Sequence, residues 1–157
     1  MTTIHCYTGS QPTTDAPAAD FARSRAAALS MVPTTTSAQR LLDRVLPQIA
    51  GRILGSAVRV PTASVSAVDL AVLLARPAGA RLERAAVSGG GVLLAGPIAR
   101  WYPPICARGA ESIVMALPET RVLDTPNGPL LRVFGWYDNE WGFSNRTMMA
   151  WRVWATL

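Results

Sequence analysis

The stretch that decides the fold is residues 130–146, LLRVFGWYDNEWGFSNR, near the end of the chain. Its first part, Leu130 to Trp136, follows the turn sequence Pro126-Asn127-Gly128 and predicts a β-strand. From Trp141 onward the sequence predicts a C-terminal helix. We therefore expect a strand and then a helix at this end of the domain.

More strands than helices are predicted upstream of this stretch. The first residues of the chain are β-rich and alternate in character, and Pro61-Thr62 separates two further strand-like segments. The predicted strands are Thr2–Thr8, Arg52–Val60 and Val65–Leu74. Several strands with few helices, and without regular βαβ alternation, indicate an α+β domain and not a doubly wound one.

One helix is predicted in the first half of the chain, over Ala38 to Ile49, because its apolar residues recur at helical spacing. Ser37 is placed to cap the N-terminus of this helix, and Pro47 is expected to kink the helix or to end it early. A short helical turn is predicted over Arg23 to Leu29. The segment from Val32 to Ser37 is predicted to be a polar loop.

The composition limits the classes of function. Half of the 157 residues are hydrophobic and only 16% are charged, which excludes a disordered chain. Two cysteines are too few for a disulfide scaffold, and no apolar run is long enough to span a membrane. All fifteen cations are scattered Arg residues, so the formal charge of +5 gives little support for nucleic-acid binding. The start of the chain does not resemble a signal peptide, and we expect a cytoplasmic protein.

The side chains that could carry chemistry lie in the first sixty positions. His5 is the only histidine of the chain. An imidazole beside hydroxyl and guanidinium groups suits proton transfer on a phosphorylated substrate. These groups are supplied by Thr8, Arg23, Arg25, Thr34, Thr35, Thr36, Ser37 and Arg59. The sequence has no C-x-x-C pair and no phosphate-binding glycine loop, and no metal site is predicted.

Several motifs resemble the phosphorylating glyceraldehyde-3-phosphate dehydrogenase family. The most specific are residues 136–146, WYDNEWGFSNR, and residues 2–11, TTIHCYTGSQ. Further matching motifs follow in the family's order, namely 25–28, 32–36, 46–47, 59–62 and 65–70. The resemblance covers residues 1–75 and about 120–146. It implies the family's catalytic domain, a mostly antiparallel sheet with helices on one face. The erythrose-4-phosphate dehydrogenases are similar to it and share much of this pattern.

The resemblance also implies roles for individual residues. His5 matches the family's catalytic histidine, which acts as general base and acid around hydride transfer. Thr8 and Arg59 match residues that hold the substrate phosphate. Thr36 matches a residue that holds the attacking inorganic phosphate, and Ser37 stands beside it where the family has a glycine.

Two more residues match positions near the family's cofactor. Asn139 matches the asparagine that hydrogen-bonds the nicotinamide carboxamide. Arg25 lies in the loop that packs against the cofactor and the neighbouring subunit. The implied reaction is the oxidation of an aldehyde phosphate with NAD or NADP and inorganic phosphate, which gives an acyl phosphate. In this family the working unit is a homotetramer.

The chain alone is expected to be inactive. Residues 1–157 resemble a truncated catalytic domain without the dinucleotide-binding domain and without the nucleophilic cysteine. Cys6 follows His5 on a strand and is expected to point to the opposite face, and Cys106 lies in a stretch without resemblance to the family. The alternatives are an erythrose-4-phosphate dehydrogenase fragment, a non-catalytic oxyanion-binding or interaction module, or a pseudogene product.

Two segments are expected to be translated out of frame, at about 96–109 and at 147–157. Codons for Arg100 to Arg108 can be chosen that read Leu-Val-Ser-Thr-Asp-Leu-Arg-Ala in a shifted frame. This string resembles the Pro-Leu-Val-Ser-x-Asp string that the family has at this place. The coding DNA tests this interpretation.

Overall fold

The computed structural model describes residues 1–75 and 111–156, together with the backbone of the strand 93–96. By its internal contacts the chain divides into two compact units, 1–63 and 64–157. The strands of each unit are described separately.

The first unit contains three paired strands and one α-helix. Its elements are β1 (Thr2–Cys6), β2 (Val32–Thr34), α1 (Ala38–Val45) and β3 (Ser56–Val60), with 3-10 turns at Ala22–Ser24 and Pro47–Ile49. β3 lies in the middle, parallel to β1 and antiparallel to β2. Cys6, Val32 and Ala57, one from each strand, are buried.

The ends of α1 follow from two neighbouring side chains. The helix ends at Val45, since Leu46 precedes Pro47 and leaves the helical region with φ −127° and ψ 66°. The expectation that Pro47 ends the helix early is confirmed. At the other end, the predicted cap by Ser37 is wrong. Ser37 has helical dihedrals and makes no capping bond, and the amide of Ala38 donates instead to the hydroxyl of Thr36 at 3.1 Å.

The second unit is built on one long central strand. Its elements are β4 (Ser66–Leu73), β5 (Leu93–Gly96), β6 (Ile113–Ala116), β7 (Arg121–Thr125), β8 (Gly128–Tyr137) and α2 (Trp141–Trp154), with a 3-10 turn at Leu117–Glu119. β8 pairs antiparallel with β4, β6 and β7, and β5 runs parallel to β6. The β4–β8 ladder is the longest, from Ser66 opposite Tyr137 to Leu73 opposite Leu130.

The turn between β7 and β8 requires a glycine. Gly128 has φ +117°, and a Cβ built there would lie 2.7 Å from the carbonyl oxygen of Leu74. The hydroxyl of Thr125 donates to the Gly128 carbonyl at 2.6 Å and accepts from the amide of Asn127 at 3.3 Å. The turn predicted from Pro126-Asn127-Gly128 is confirmed.

The predicted fold class agrees with the structure, since four of the six strand pairings given above are antiparallel and the class is α+β. The helix predicted from Trp141 onward is confirmed, and it continues to Trp154 through most of the segment 147–157. The prediction of a loop over Val32–Ser37 is wrong at its start, which forms β2. The segment 96–109 lies outside the described residues, except for Gly96.

Candidate functional site

His5 and Arg59 are brought side by side by the parallel register of β1 and β3, in which they are paired partners. Nη1 of Arg59 lies 2.6 Å from Nδ1 of His5 and donates to the carbonyl oxygen of Cys6 at 3.1 Å. The same Nδ1 lies 2.7 Å from that carbonyl oxygen. A ring nitrogen carries either a proton or a lone pair, so Nδ1 makes one of these two bonds in a given tautomer.

Cys6 lies closer to His5 than strand alternation indicates. Its side chain is buried, at 1% exposure, as expected for the face opposite a partly exposed neighbour. Its sulfur nevertheless lies 3.8 Å from Nδ1 of His5, because Cys6 is the last residue of β1. The sulfur and the imidazole are therefore in contact, although the sequence predicts that the Cys6 side chain points to the opposite face of the strand. Cys106 lies outside the described residues.

A cavity of about 210 Å³ opens beside Arg59 in the first unit. Its walls carry three guanidinium groups and several neutral donors and acceptors. The lining residues are Ser10, Gln11, Pro12, Arg23, Arg25, Val32, Thr34 and Arg59. Hydroxyl, amide and guanidinium groups of this kind suit an oxyanion ligand.

The charges around this cavity leave an excess of cations. Arg23 lies 3.8 Å from Asp20 and Arg25 lies 3.5 Å from Asp15, and all four side chains are about half exposed. Among the described residues, no carboxylate lies within ion-pair distance of Arg59. Three guanidinium groups thus face two carboxylates, and the local field favours an anion.

The loop after β1 shapes one wall of the cavity. The Thr8 amide donates to Oε1 of Gln11 at 3.1 Å, the Gln11 amide donates to the Thr8 carbonyl at 2.9 Å, and the hydroxyls of Thr8 and Ser10 lie 3.0 Å apart. Thr8 therefore positions two lining residues without being one itself.

The predicted phosphate-site residues are only partly brought together. Arg59 lines the cavity, whereas Thr36 and Ser37 are not among its lining residues, and the Thr36 hydroxyl is engaged at the start of α1. Ser10 and Gln11 were not predicted as site residues. Both lie inside the motif 2–11, whose resemblance to the family could have indicated that they are site residues.

Asn139 lies in the second unit, between β8 and α2, where its side chain and its backbone are both anchored. The Ser66 hydroxyl donates to Oδ1 of Asn139 at 2.7 Å. Oδ1 of the buried Asp138 accepts from the amides of Glu140 at 2.9 Å and Trp141 at 2.6 Å, which satisfies donors at the start of α2. Val65, just before Ser66, has φ +67°, a conformation that costs a β-branched residue about 1–3 kcal/mol.

The shortest ion pair among the described residues lies in the second unit. Arg132 on β8 donates from Nε and Nη2 to both oxygens of Asp69 on β4, at 2.6 to 3.1 Å. These hydrogen bonds lower the pKa of Asp69 below 3.8 and raise that of Arg132. Arg132 is thus committed to a carboxylate, and it differs in this from Arg59.

Metal-binding clusters and membrane-spanning helices are both absent from the described residues. In residues 1–75 and 111–156, no group of three or more His, Cys, Asp or Glu side chains could hold a metal ion. No helix in the same part of the chain has the length and apolar character that crossing a membrane requires.

Comparisons with known proteins agree with these features. Residues 1–85 match the family model described as the glyceraldehyde 3-phosphate dehydrogenase C-terminal domain. The chain is 41% identical over 151 residues to the glyceraldehyde-3-phosphate dehydrogenase of Xanthobacter flavus and 42% identical over 154 residues to that of Cereibacter sphaeroides. It is 40% identical over 160 residues to that of Pseudomonas aeruginosa.

The matches cover 93% to 94% of this chain but only 44% of each relative, so the chain spans less than half the length of these curated relatives. More than half of the chain, including His5, Arg59 and the cavity, falls within the family match. The chain belongs to the glyceraldehyde-3-phosphate dehydrogenase family, an oxidoreductase family of glycolysis, and corresponds to its C-terminal domain.

Proposed function

We propose that this chain supplies the phosphate-binding and proton-transfer part of a phosphorylating oxidation of glyceraldehyde 3-phosphate. The observation that carries the proposal is the contact between Arg59 and His5 beside a cationic cavity. A phosphate held by the guanidinium would place the aldehyde end of a three-carbon substrate within reach of the imidazole. The same phosphate chemistry suits erythrose 4-phosphate, but the curated relatives described above are all named for glyceraldehyde 3-phosphate.

In this proposal Arg59 is the main phosphate ligand. Its guanidinium can donate two parallel hydrogen bonds to a phosphate, and such charge-assisted bonds contribute about 1.5–3 kcal/mol each. Gln11 and Ser10 add neutral donors from the opposite loop. Thr8 acts through that loop, and Thr36 and Ser37 would bind the inorganic phosphate at the start of α1.

His5 would act as the general base of the reaction. Nδ1 is engaged either by Arg59 or by the Cys6 carbonyl, and this contact fixes the plane of the ring. Proton transfer to and from the substrate would therefore use Nε2. The proton removed is that of the hydroxyl group formed when a nucleophile adds to the aldehyde.

The chemistry of Asn139 fits the carboxamide of a nicotinamide cofactor. Its amide is fixed at one oxygen by Ser66, and an amide side chain can pair with an amide ligand. A bound NAD or NADP would accept the hydride that leaves the substrate. Asn139 would hold the carboxamide and so determine which face of the nicotinamide ring meets the substrate.

We also propose that the 157-residue chain by itself turns over no substrate. The sulfur of Cys6 contacts His5 but is buried, so an aldehyde cannot reach it. An assay with glyceraldehyde 3-phosphate, phosphate and NAD or NADP tests this. Turnover by the purified chain that is lost in Cys6→Ser or Cys106→Ser would contradict the proposal. In a complete enzyme we propose a cytoplasmic homotetramer, as the family resemblance implies.

The substrate proposal is tested by a matched pair of ligands. Glyceraldehyde 3-phosphate and glyceraldehyde differ only in the phosphate group. In NMR titrations of the chain, the phosphorylated ligand should shift the side-chain signals of Arg59 and Gln11, and glyceraldehyde should not shift them at the same concentration. Equal responses to both ligands, or no response at Arg59, would contradict the proposal.

A further inference from the structure

A buried hydroxyl determines how the amide of Asn139 is oriented. Ser66 is only 1% exposed, and its Oγ donates to Oδ1 of Asn139 across 2.7 Å. The oxygen side of the amide therefore faces Ser66, and the nitrogen side is turned away from this hydroxyl. An amide held by its oxygen presents N–H donors to a ligand and selects for an acceptor group.

Both partners of this hydrogen bond are fixed by their own backbone. The carboxylate of Asp138 holds the first amides of α2, which sets the backbone immediately beside Asn139. Ser66 opens β4 and is paired in register with Tyr137 of β8. The two residues thus approach each other from the ends of two strands that share an eight-residue ladder.

The backbone immediately before Ser66 is strained. Val65 has φ +67° although it is β-branched and only 4% exposed. Strain of this kind persists only where the surrounding structure imposes it, and it is concentrated at functional sites. Here the strained residue turns the chain into β4 at the point where Ser66 meets Asn139. Two independent observations, the short hydrogen bond and the strained neighbour, therefore converge on Ser66.

We propose that Ser66 is a positioning residue that holds Asn139 as a hydrogen-bond donor toward a carbonyl oxygen of the bound cofactor. This inference rests on the proposed function, in which Asn139 faces the nicotinamide carboxamide. It adds that Ser66, a residue outside the contact with the cofactor, sets the orientation of the Asn139 amide.

Three small probes separate donor from acceptor recognition. Nicotinamide carries a carbonyl oxygen and an amino group, 3-acetylpyridine keeps only the carbonyl oxygen, and pyridine has neither. The readout is the side-chain amide signal of Asn139 in NMR titrations of the full chain, assigned by its loss in Asn139→Asp. Nicotinamide and 3-acetylpyridine should both shift this signal, whereas pyridine should leave it in place.

The role of Ser66 is tested with two variants and one control. Ser66→Ala removes the hydroxyl, and Ser66→Cys keeps the shape of the side chain with a much weaker donor. Both variants should bind nicotinamide and 3-acetylpyridine about five- to tenfold more weakly, as measured from the Asn139 signal. This is the change expected for the loss of one neutral hydrogen bond. Ser144→Ala, which removes a hydroxyl that donates to the Glu140 carbonyl, should leave the response unchanged.

The outcomes distinguish this inference from the function on which it rests. If nicotinamide shifts Asn139 equally in the wild-type chain and in both Ser66 variants, the cofactor role of Asn139 stands and the positioning role of Ser66 is overturned. If nicotinamide shifts the signal and 3-acetylpyridine does not, the donor assignment is overturned. If none of the probes shifts Asn139 in the wild-type chain, the cofactor role fails and this inference fails with it. The backbone spectrum of each variant verifies that it is folded.

Discussion

The two units place their cross-strand arginines in opposite settings. In the first unit, Arg59 of β3 contacts an imidazole and a backbone carbonyl, and among the described residues no carboxylate neutralises it. In the second unit, Arg132 of β8 is neutralised by Asp69 through three contacts within hydrogen-bond distance. Arg132 is thus held by a carboxylate, whereas in the proposed function Arg59 binds the phosphate of a ligand.

The two units also differ in how tightly a loop or turn is packed. The loop after β1 in the first unit is open, and a Cβ at Gly9 would meet no atom within 4 Å. The turn before β8 in the second unit is tight, as the contact of Gly128 with the Leu74 carbonyl indicates. The unit that carries the cavity beside Arg59 thus has room around its loop, whereas the second unit is closely packed at the turn of its hairpin.

The largest effect is expected from substituting the glycine of this tight turn. Gly128→Ala should lower the free energy of unfolding by about 3 kcal/mol, because it combines an unfavourable φ with a backbone clash. Gly9→Ala in the open loop should change it by less than about 1 kcal/mol. Urea unfolding measures both. Equal losses would show that the two turns are not packed differently.

A smaller effect should separate strained from ordinary backbone within the second unit. Val65 and Val114 are buried to nearly the same degree, at 4% and 5% exposure, but only Val65 has a positive φ. Val65→Gly relieves strain as it removes buried methyl groups, whereas Val114→Gly only removes them. We expect Val65→Gly to lower the free energy of unfolding by at least about 1 kcal/mol less than Val114→Gly does. The comparison of urea midpoints decides this, and a larger loss at Val65 would exclude backbone strain there.

The smallest effect is expected from the exposed ion pair. The pKa of Asp69 is lowered in the folded chain, chiefly by hydrogen bonds from Arg132. Its stabilising contribution is therefore complete well above the unfolded value of 3.8 and is lost as the pH falls through the lower folded value. Asp69→Asn should lower the melting temperature slightly at neutral pH. This difference should disappear in acid, and a difference that persists below the folded pKa would exclude the ionic origin.

The sequence predicted the fold class and most of its elements because their signals are local. The turn at Gly128 and the break at Pro47 depend on the conformational limits of single residues. Strands β2, β5, β6 and β7 were not predicted, and β2 (Val32–Thr34) is a short segment that is strand only through its pairing with β3. The cap by Thr36 in place of Ser37 depends on backbone angles that the sequence does not contain.

The candidate site was predictable to a lesser degree. The resemblance indicated His5 and Arg59, and the structure places them in contact through the register of β1 and β3. It could not indicate that Thr36 is engaged at the start of α1 or that Cys6 reaches the imidazole, because both depend on where an element begins or ends. The hydrogen bond between Ser66 and Asn139 joins residues 73 positions apart, and no local pattern predicts it.

We expect Arg59, for which residues 1–75 and 111–156 provide no carboxylate partner, to form a phosphate site in the first unit. Titration of the chain with inorganic phosphate, followed by NMR, tests this most directly when Arg59→Ala is compared with Arg132→Ala. Loss of the Arg59 guanidinium should weaken phosphate binding at least tenfold, as expected for about 1.5–3 kcal/mol per charged hydrogen bond, and loss of Arg132 should leave it unchanged. Equal effects of the two variants, or an unchanged affinity in Arg59→Ala, would contradict the account.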